Sequence, residues 1–221
     1  MFQKKSMPTS LVKNQQRLSV RLRTLDSAFE RHIVLRNSQK KIDRASLQEG
    51  LISTLWQSWC AYCRETLIES VLGAMTTNGV LTTSAYSQRS ESEIAFVAKQ
   101  FAQGNNVNNI RALSGSHLEP TWGDPSKLNL MILGLQPSNH GTLVTAFAAC
   151  SSLNDLQMCR NANAHLNVDR LNEVSSARVR YLNTDFIHPS DVMQWIDPTT
   201  NDFLWKSWID EMILISSMSV Q

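Results

Sequence analysis

The sequence predicts an all-α protein, a single-domain helical bundle entered through a long N-terminal helix, and three observations carry that expectation. Glycine and proline number only eight and six in 221 residues, too few to punctuate a turn-rich β architecture. Apolar residues recur at helical spacing along most of the chain. Ser-x-x-Glu and Asp-Pro pairs stand where helices of that spacing would begin. Six tryptophans and a hydrophobic fraction of 42% supply an ample core and argue against disorder.

Taken in order, Leu18, Leu22, Leu25, Phe29 and His32 form a seam along the first helix, fit to pack on the body or on a second copy. Asn37-Ser38 is expected to end or bend it. Ser46-x-x-Glu49 reads as a capping box that opens a central helix. Its broad apolar face runs from Leu51 through Trp56, Trp59 and Leu67 to Met75, and Asn78-Gly79 is expected to close it. Residues 80–89 are rich in Ser and Thr and read as a loop. Ser90-x-x-Glu93 caps a short helix through Phe101, with Gly104 as its stop. From Gly104 to Trp122 the chain is polar and irregular, a length of loop that serves substrate access or is a surface excursion. Trp122 is the tryptophan best placed to stack on a base. Asp124-Pro125 starts a helix to about Leu135, and Pro137-Ser138 starts another to Cys150. Ser151 or Ser152 caps the next, followed by helices over Val168–Leu182 and from Pro198 to about Ser216. No strand pair and no internal repeat is expected.

Charge divides the chain into a basic arm, residues 1–45, and a body, residues 46–221. Residues 1–44 hold eleven Lys and Arg against three acids, a net +8 that leaves −6 for the remainder. Such an arm meets RNA phosphates or an acidic face of its own body, or is a solvated helix face. No apolar run approaches the roughly 18–20 residues that span a bilayer, and the N-terminus has no hydrophobic core of a signal peptide. Cys60, Cys63, Cys150 and Cys159 lack the paired short spacings of a zinc site, and read as reduced thiols of a cytoplasmic protein. No cofactor or metal is expected.

The segment Cys159-Arg160-Asn161-Ala162-Asn163-Ala164-His165-Leu166-Asn167 concentrates the chemistry. A planar cation that neutralises phosphate and an imidazole that exchanges protons near neutral pH stand within six residues, with an amide between them. Asn161 and His165, four apart, share one helical face. Arg160 lies about 140° round from His165 on an ideal helix, so its long side chain wraps back, a helix end brings the groups together, or a second copy supplies the other half. The spacing Arg111 to His117 is similar, but its Ser-Gly-Ser core reads as a loop. Arg64-Glu65 on the central helix is expected to be a structural salt bridge, and His140 and His188 to be turn or cap residues.

Arg160-Asn161-x-x-Ala164-His165 resembles the signature of the HEPN superfamily, helical domains that often act as metal-independent endoribonucleases. Leu55-Trp56-Gln57-Ser58-Trp59-Cys60-Ala61-Tyr62-Cys63-Arg64-Glu65 is similar to the long early helix of the RiboL-PSP-HEPN branch, and the resemblance runs from about Leu47 to the end. Cys159, where an aliphatic residue is more usual, and Leu166-Asn167, where glycine is common, depart from the pattern. The resemblance implies an HEPN-like core and an RNA substrate cleaved by its own 2′-hydroxyl, with Arg160, Asn161 and His165 as catalytic residues in a site completed by a homodimer. It also implies a toxin or anti-phage setting with an antitoxin or defence-complex partner. The alternative is a non-catalytic helical module that binds RNA or protein.

Overall fold

A computed structural model describes residues 8–35 and 38–221. The protein is all-α, with 66% helix and 5% strand. Its helices are α1 (Leu11–Leu35), α2 (Lys41–Leu72), α3 (Glu91–Ala102), α4 (Pro125–Leu135), α5 (His140–Ala148), α6 (Leu153–Ala164), α7 (Val168–Ala177) and α8 (Leu204–Ser219). The strands are two-residue pairings that the sequence does not announce, because so short a ladder has no readable period. β1 (Thr9–Ser10) pairs in parallel with β2 (Ala74–Met75), and β3 (Ile196–Asp197) antiparallel with β4 (Asp202–Phe203). The chain forms two compact units. Among the described residues, one comprises 8–17, 60–149 and 215–221, the other 18–35, 38–59 and 150–214, so the division falls within α1, α2 and α8.

In the first unit, the second half of α2 buries Cys63, Leu67 and Val71, and α4 buries Leu128, Met131, Ile132 and Leu135. Helix α2 ends earlier than expected, at Leu72. The stop is Gly73, whose φ of +105° side chains rarely adopt, rather than Asn78-Gly79. Ser90 and Glu93 complete the expected capping box of α3, and the Asp124 side chain accepts the Lys127 amide to open α4. Gly134 lets α4 lie against α3, since an added Cβ would come within 2.2 Å of the Phe101 ring. Arg64 does make a structural ion pair, though not with its neighbour: its guanidinium forks onto Glu119 at 2.7 and 3.0 Å. Trp122 is buried, and its indole N–H donates to the same carboxylate at 2.7 Å. The stacking role expected of Trp122 is therefore corrected, because its ring is covered and its one donor is used.

In the second unit, Leu18, Leu22, Leu25, Phe29 and His32 are all buried, so the α1 seam packs on this unit. Phe29 stacks on Trp205 with centroids 5.2 Å apart. Lys206 Nζ lies 2.8 Å from Glu30 and 2.6 Å from Asp26, so these two acids of the basic arm are matched from α8. The α1 helix stops at Leu35, where Ser38 returns a hydrogen bond to the Leu35 carbonyl; Asn37 lies outside the described residues. Helix α2 begins at Lys41, not at Ser46. Asp43 supplies the acidic group favoured in a first turn, and Glu49, freed from capping, lies 3.0 Å from His188 Nε2.

The start of α6 is made by tertiary structure. Ser152 is its N-cap residue, but its side chain makes no capping bond. Glu211 of α8 takes the role: one carboxylate oxygen accepts the Ser151 amide and the other accepts the Ser152 amide at 2.8 Å. Both serine hydroxyls also donate to it. The last two helices are shorter than expected. The first stops at Ala177 and passes into a 3₁₀ turn over Arg178–Arg180, and α8 starts at Leu204 because β3, a turn and β4 occupy the residues after Trp195.

Two predictions follow from these contacts. Glu211→Ala is expected to lower the unfolding free energy by about 1–2 kcal/mol, the range of a lost helix cap, read from denaturant unfolding by circular dichroism; an unchanged midpoint would show that α6 is capped otherwise. Glu119 gives the second. Burial pushes its carboxyl up, but the hydrogen bonds from Arg64 and Trp122 and the Arg64 charge outweigh burial and hold it below the usual range. Its stabilisation is therefore complete above the unfolded value of about 4.3 and drains away as pH falls below it. The acid limb of Tm against pH should be shallower in Glu119→Gln than in the wild type, and parallel limbs would contradict the assignment.

Candidate active site

The α6 helix is fixed on several sides before it reaches the chemistry. Glu211 holds its first turn. Asp155, buried in that turn, accepts hydrogen bonds from the Arg180 guanidinium and the Tyr181 hydroxyl. Burial, then the bond to Asp155 and its charge, push the Tyr181 hydroxyl well above its ordinary range, which keeps it a donor. One turn further, the Cys159 thiol donates to the Pro189 carbonyl at 3.1 Å. Burial first, then the charges of Asp191 and Asp155, push that thiol far up, so it is a packing group rather than a nucleophile.

Arg160 and Asn161 follow at the surface side of the helix, both half-buried. The Arg160 side chain wraps round to donate from Nη1 to the Asn161 amide oxygen at 3.1 Å. The offset of about 140° calls for Arg160 to wrap back to His165; the side chain closes on Asn161 instead. The three arginines that come next in the chain each reach a carboxylate: Arg170 pairs with Glu173, Arg178 with Asp185 and Arg180 with Asp155. Arg160 has no carboxylate partner among the described residues, so its charge faces only a neutral amide. Asn161 also bears the backbone link to the last member, because its carbonyl accepts the His165 N–H at 2.9 Å.

His165 is the C-cap of α6, with φ −137° and ψ 70°, and is exposed. Its ring makes no hydrogen bond with Arg160, Asn161 or any other described residue. The fold thus brings Arg160 and Asn161 into contact and places His165 one turn on, without joining the imidazole to either. Leu166, Val168 and Val179 after it are 64%, 71% and 89% exposed. Asn167 opens α7 by accepting the Arg170 amide at 3.0 Å. His140 and His188 are held in structural roles. His140 Nδ1 lies 3.0 Å from the Pro137 carbonyl, and His188 caps the 3₁₀ helix Pro189–Gln194 together with Asp191.

Reading the sequence missed Asn163. Both atoms of its amide are buried without a hydrogen-bond partner. The available signal was the repetition in Asn161-Ala162-Asn163, two residues out of helical phase, which forces one of the two amides away from the Arg160 side. Among the described residues, no group of three or more His, Cys, Asp or Glu side chains stands at metal-binding separation. No protein-family model matches the chain, no curated protein matches it, and no solved structure does.

A buried amide without a partner is destabilising by about 1–3 kcal/mol. Asn163→Leu is therefore expected to raise the midpoint of thermal unfolding, and a lowered midpoint would mean that the amide is hydrogen-bonded in solution.

Proposed function

We propose that the chain is a metal-independent endoribonuclease of the toxin or anti-phage defence kind, acting as a homodimer with Arg160, Asn161 and His165 as its catalytic residues. The observation that carries this reading is that, among the described residues, the charge of Arg160 meets no carboxylate and is held by the Asn161 amide one turn before an exposed imidazole that bonds to none of them. An arginine committed to structure would close on a carboxylate, as its neighbours do. The HEPN resemblance of Arg160-Asn161-x-x-Ala164-His165 supports the same reading.

In this chemistry the ribose 2′-oxygen forms a bond to the adjacent phosphorus as the bond to the 5′-oxygen breaks. A base accepts the 2′-hydroxyl proton, and an acid delivers a proton to the leaving 5′-oxygen. His165 serves as one of these, since an imidazole can accept or deliver a proton. Two copies facing each other supply both. Arg160 offsets the charge that builds on the non-bridging oxygens in the transition state, and Asn161 keeps its fork oriented. The products are a 2′,3′-cyclic phosphate and a 5′-hydroxyl, and DNA is not a substrate because it lacks the nucleophile.

The exposed apolar residues that follow His165 favour a second reading, a non-catalytic subunit whose Leu166, Val168 and Val179 meet a partner such as an antitoxin or a defence-complex protein. Incubating RNA with the purified protein in EDTA separates the two. The nuclease reading expects cleavage by the wild type and a loss of about a hundredfold or more in both Arg160→Ala and His165→Ala. Equal cleavage by all three proteins would sink it, and RNA or protein binding without cleavage would favour the subunit.

A further inference from the structure

The second unit holds a cavity of about 430 Å³, within the size range of small-ligand sites. The Arg160–His165 segment does not line it. Its walls come from Arg44 on α2, Asn183, Phe186, Asp191 and Gln194, and Phe203 on β4. Asp191 and Gln194 belong to the 3₁₀ helix whose Pro189 carbonyl accepts the Cys159 thiol.

The charges in this cavity are unequally committed. Asp185 at its edge pairs with Arg178 at 3.2 Å. One oxygen of Asp191 accepts the backbone amides of Ile187 and His188, both at 3.0 Å. Arg44 is half-buried, yet its guanidinium has no hydrogen bond or ion pair with any described residue. A cation left open beside Asp185, already paired, and Asp191, held through one oxygen, is arranged for an anion from outside.

The apolar walls are flat and braced. The Phe186 ring lies against Trp195 with centroids 6.0 Å apart, and the Phe203 ring meets Phe29 edge-on at 5.6 Å. Rings supported from behind keep a fixed face for a planar ligand. Asn183 also lines the cavity, held at φ +51° beside the backbone bridge of Leu182 to Ile196. Asparagine tolerates that left-handed conformation better than most side chains, and its amide presents a donor and an acceptor with no partner among the described residues. The free oxygen of Asp191 adds an acceptor suited to the N–H edge of a purine.

We propose that this cavity binds a nucleotide: its base against Phe186 and Phe203 with its edge read by Asn183 and Asp191, and its phosphate on Arg44. The nucleotide is either free or one unit of an RNA strand. The proposal does not depend on cleavage, and its test uses the full chain carrying His165→Ala so that RNA stays intact whatever the chain does to it. Isothermal titration calorimetry is run with 5′-GMP, with guanosine and with a short single-stranded RNA. Saturable binding of 5′-GMP is expected, with guanosine weaker, and Arg44→Ala should weaken the 5′-GMP interaction by about tenfold or more. Phe186→Ala should weaken guanosine and 5′-GMP alike. RNA binding with the same dependence on Arg44 identifies a strand unit, and binding of 5′-GMP alone identifies a free nucleotide. Circular dichroism confirms that the variants are folded; Arg44 makes no side-chain bond whose loss would unfold the protein. Absence of saturable 5′-GMP and RNA binding, or equal affinity for guanosine and 5′-GMP with no effect of Arg44→Ala, would overturn the proposal.

Discussion

The carboxylate of Glu211 is the constraint on which the candidate site depends. Helix α6 opens without a capping bond from its own Ser152, and two amides at its start point at one acidic side chain delivered by α8. Unpaired amides at a helix start carry a partial positive charge, so a carboxylate there both satisfies donors and opposes the helix dipole. The same acid, after burial, helps push the Cys150 thiol up to about 12, which keeps the residue before the helix uncharged. Further along, the Cys159 thiol on the Pro189 carbonyl holds the same helix beside Arg160, and His165 closes it as an exposed C-cap.

Along α6 the polar groups sort themselves by what they already hold. Asp155 is buried and engaged by Arg180 and Tyr181, and Cys159 is engaged by Pro189. Those groups keep the helix in place. Among the described residues Arg160 and His165 hold no charged partner, and Asn161 touches one and bonds the backbone of the other. A permanent cation near neutral protein atoms, in a half-buried position, attracts an anion more strongly than one already paired. The same distinction separates Arg44 from Arg178 in the second unit, where the paired residue holds a loop and the unpaired one borders a cavity. Both assignments rest on the same physical test, applied to different parts of the chain.

The helical character of the protein was legible because it lies in local pattern. The α1 seam, the Ser90 capping box and the Asp124-Pro125 start each depend on residues within a turn of one another, and each forms as its spacing implies. Where the reading failed, the deciding partner was distant or a weaker signal was passed over. Ser46-x-x-Glu49 has the capping pattern, but Asp43 lets α2 begin earlier and Glu49 turns to His188. Gly73 ends α2 because a positive φ is needed there, whereas Gly79, also at positive φ, sits in the turn beyond. Trp122 lies where loop meets helix, yet Glu119 claims its N–H and the core its ring. For the candidate site, the nearness of Arg160 to Asn161 and the one-turn step from Asn161 to His165 were legible in spacing. The role of Glu211 and the isolation of the Asn163 amide were not, since neither follows from neighbours in sequence. The cavity at Arg44 joins residues from both ends of the second unit, and no local pattern marks it.

The central claim is that an unneutralised guanidinium and a free imidazole on one anchored helix receive the same phosphate. NMR resonances of the His165 ring protons, followed while a short 2′-O-methyl RNA is added, test this without cleavage, because that strand lacks the nucleophilic hydroxyl. A saturable shift of the His165 resonances in the wild type, abolished by Arg160→Ala while the other histidines stay unchanged, is the predicted result. Resonances that do not move, or that move equally without the arginine, would contradict it.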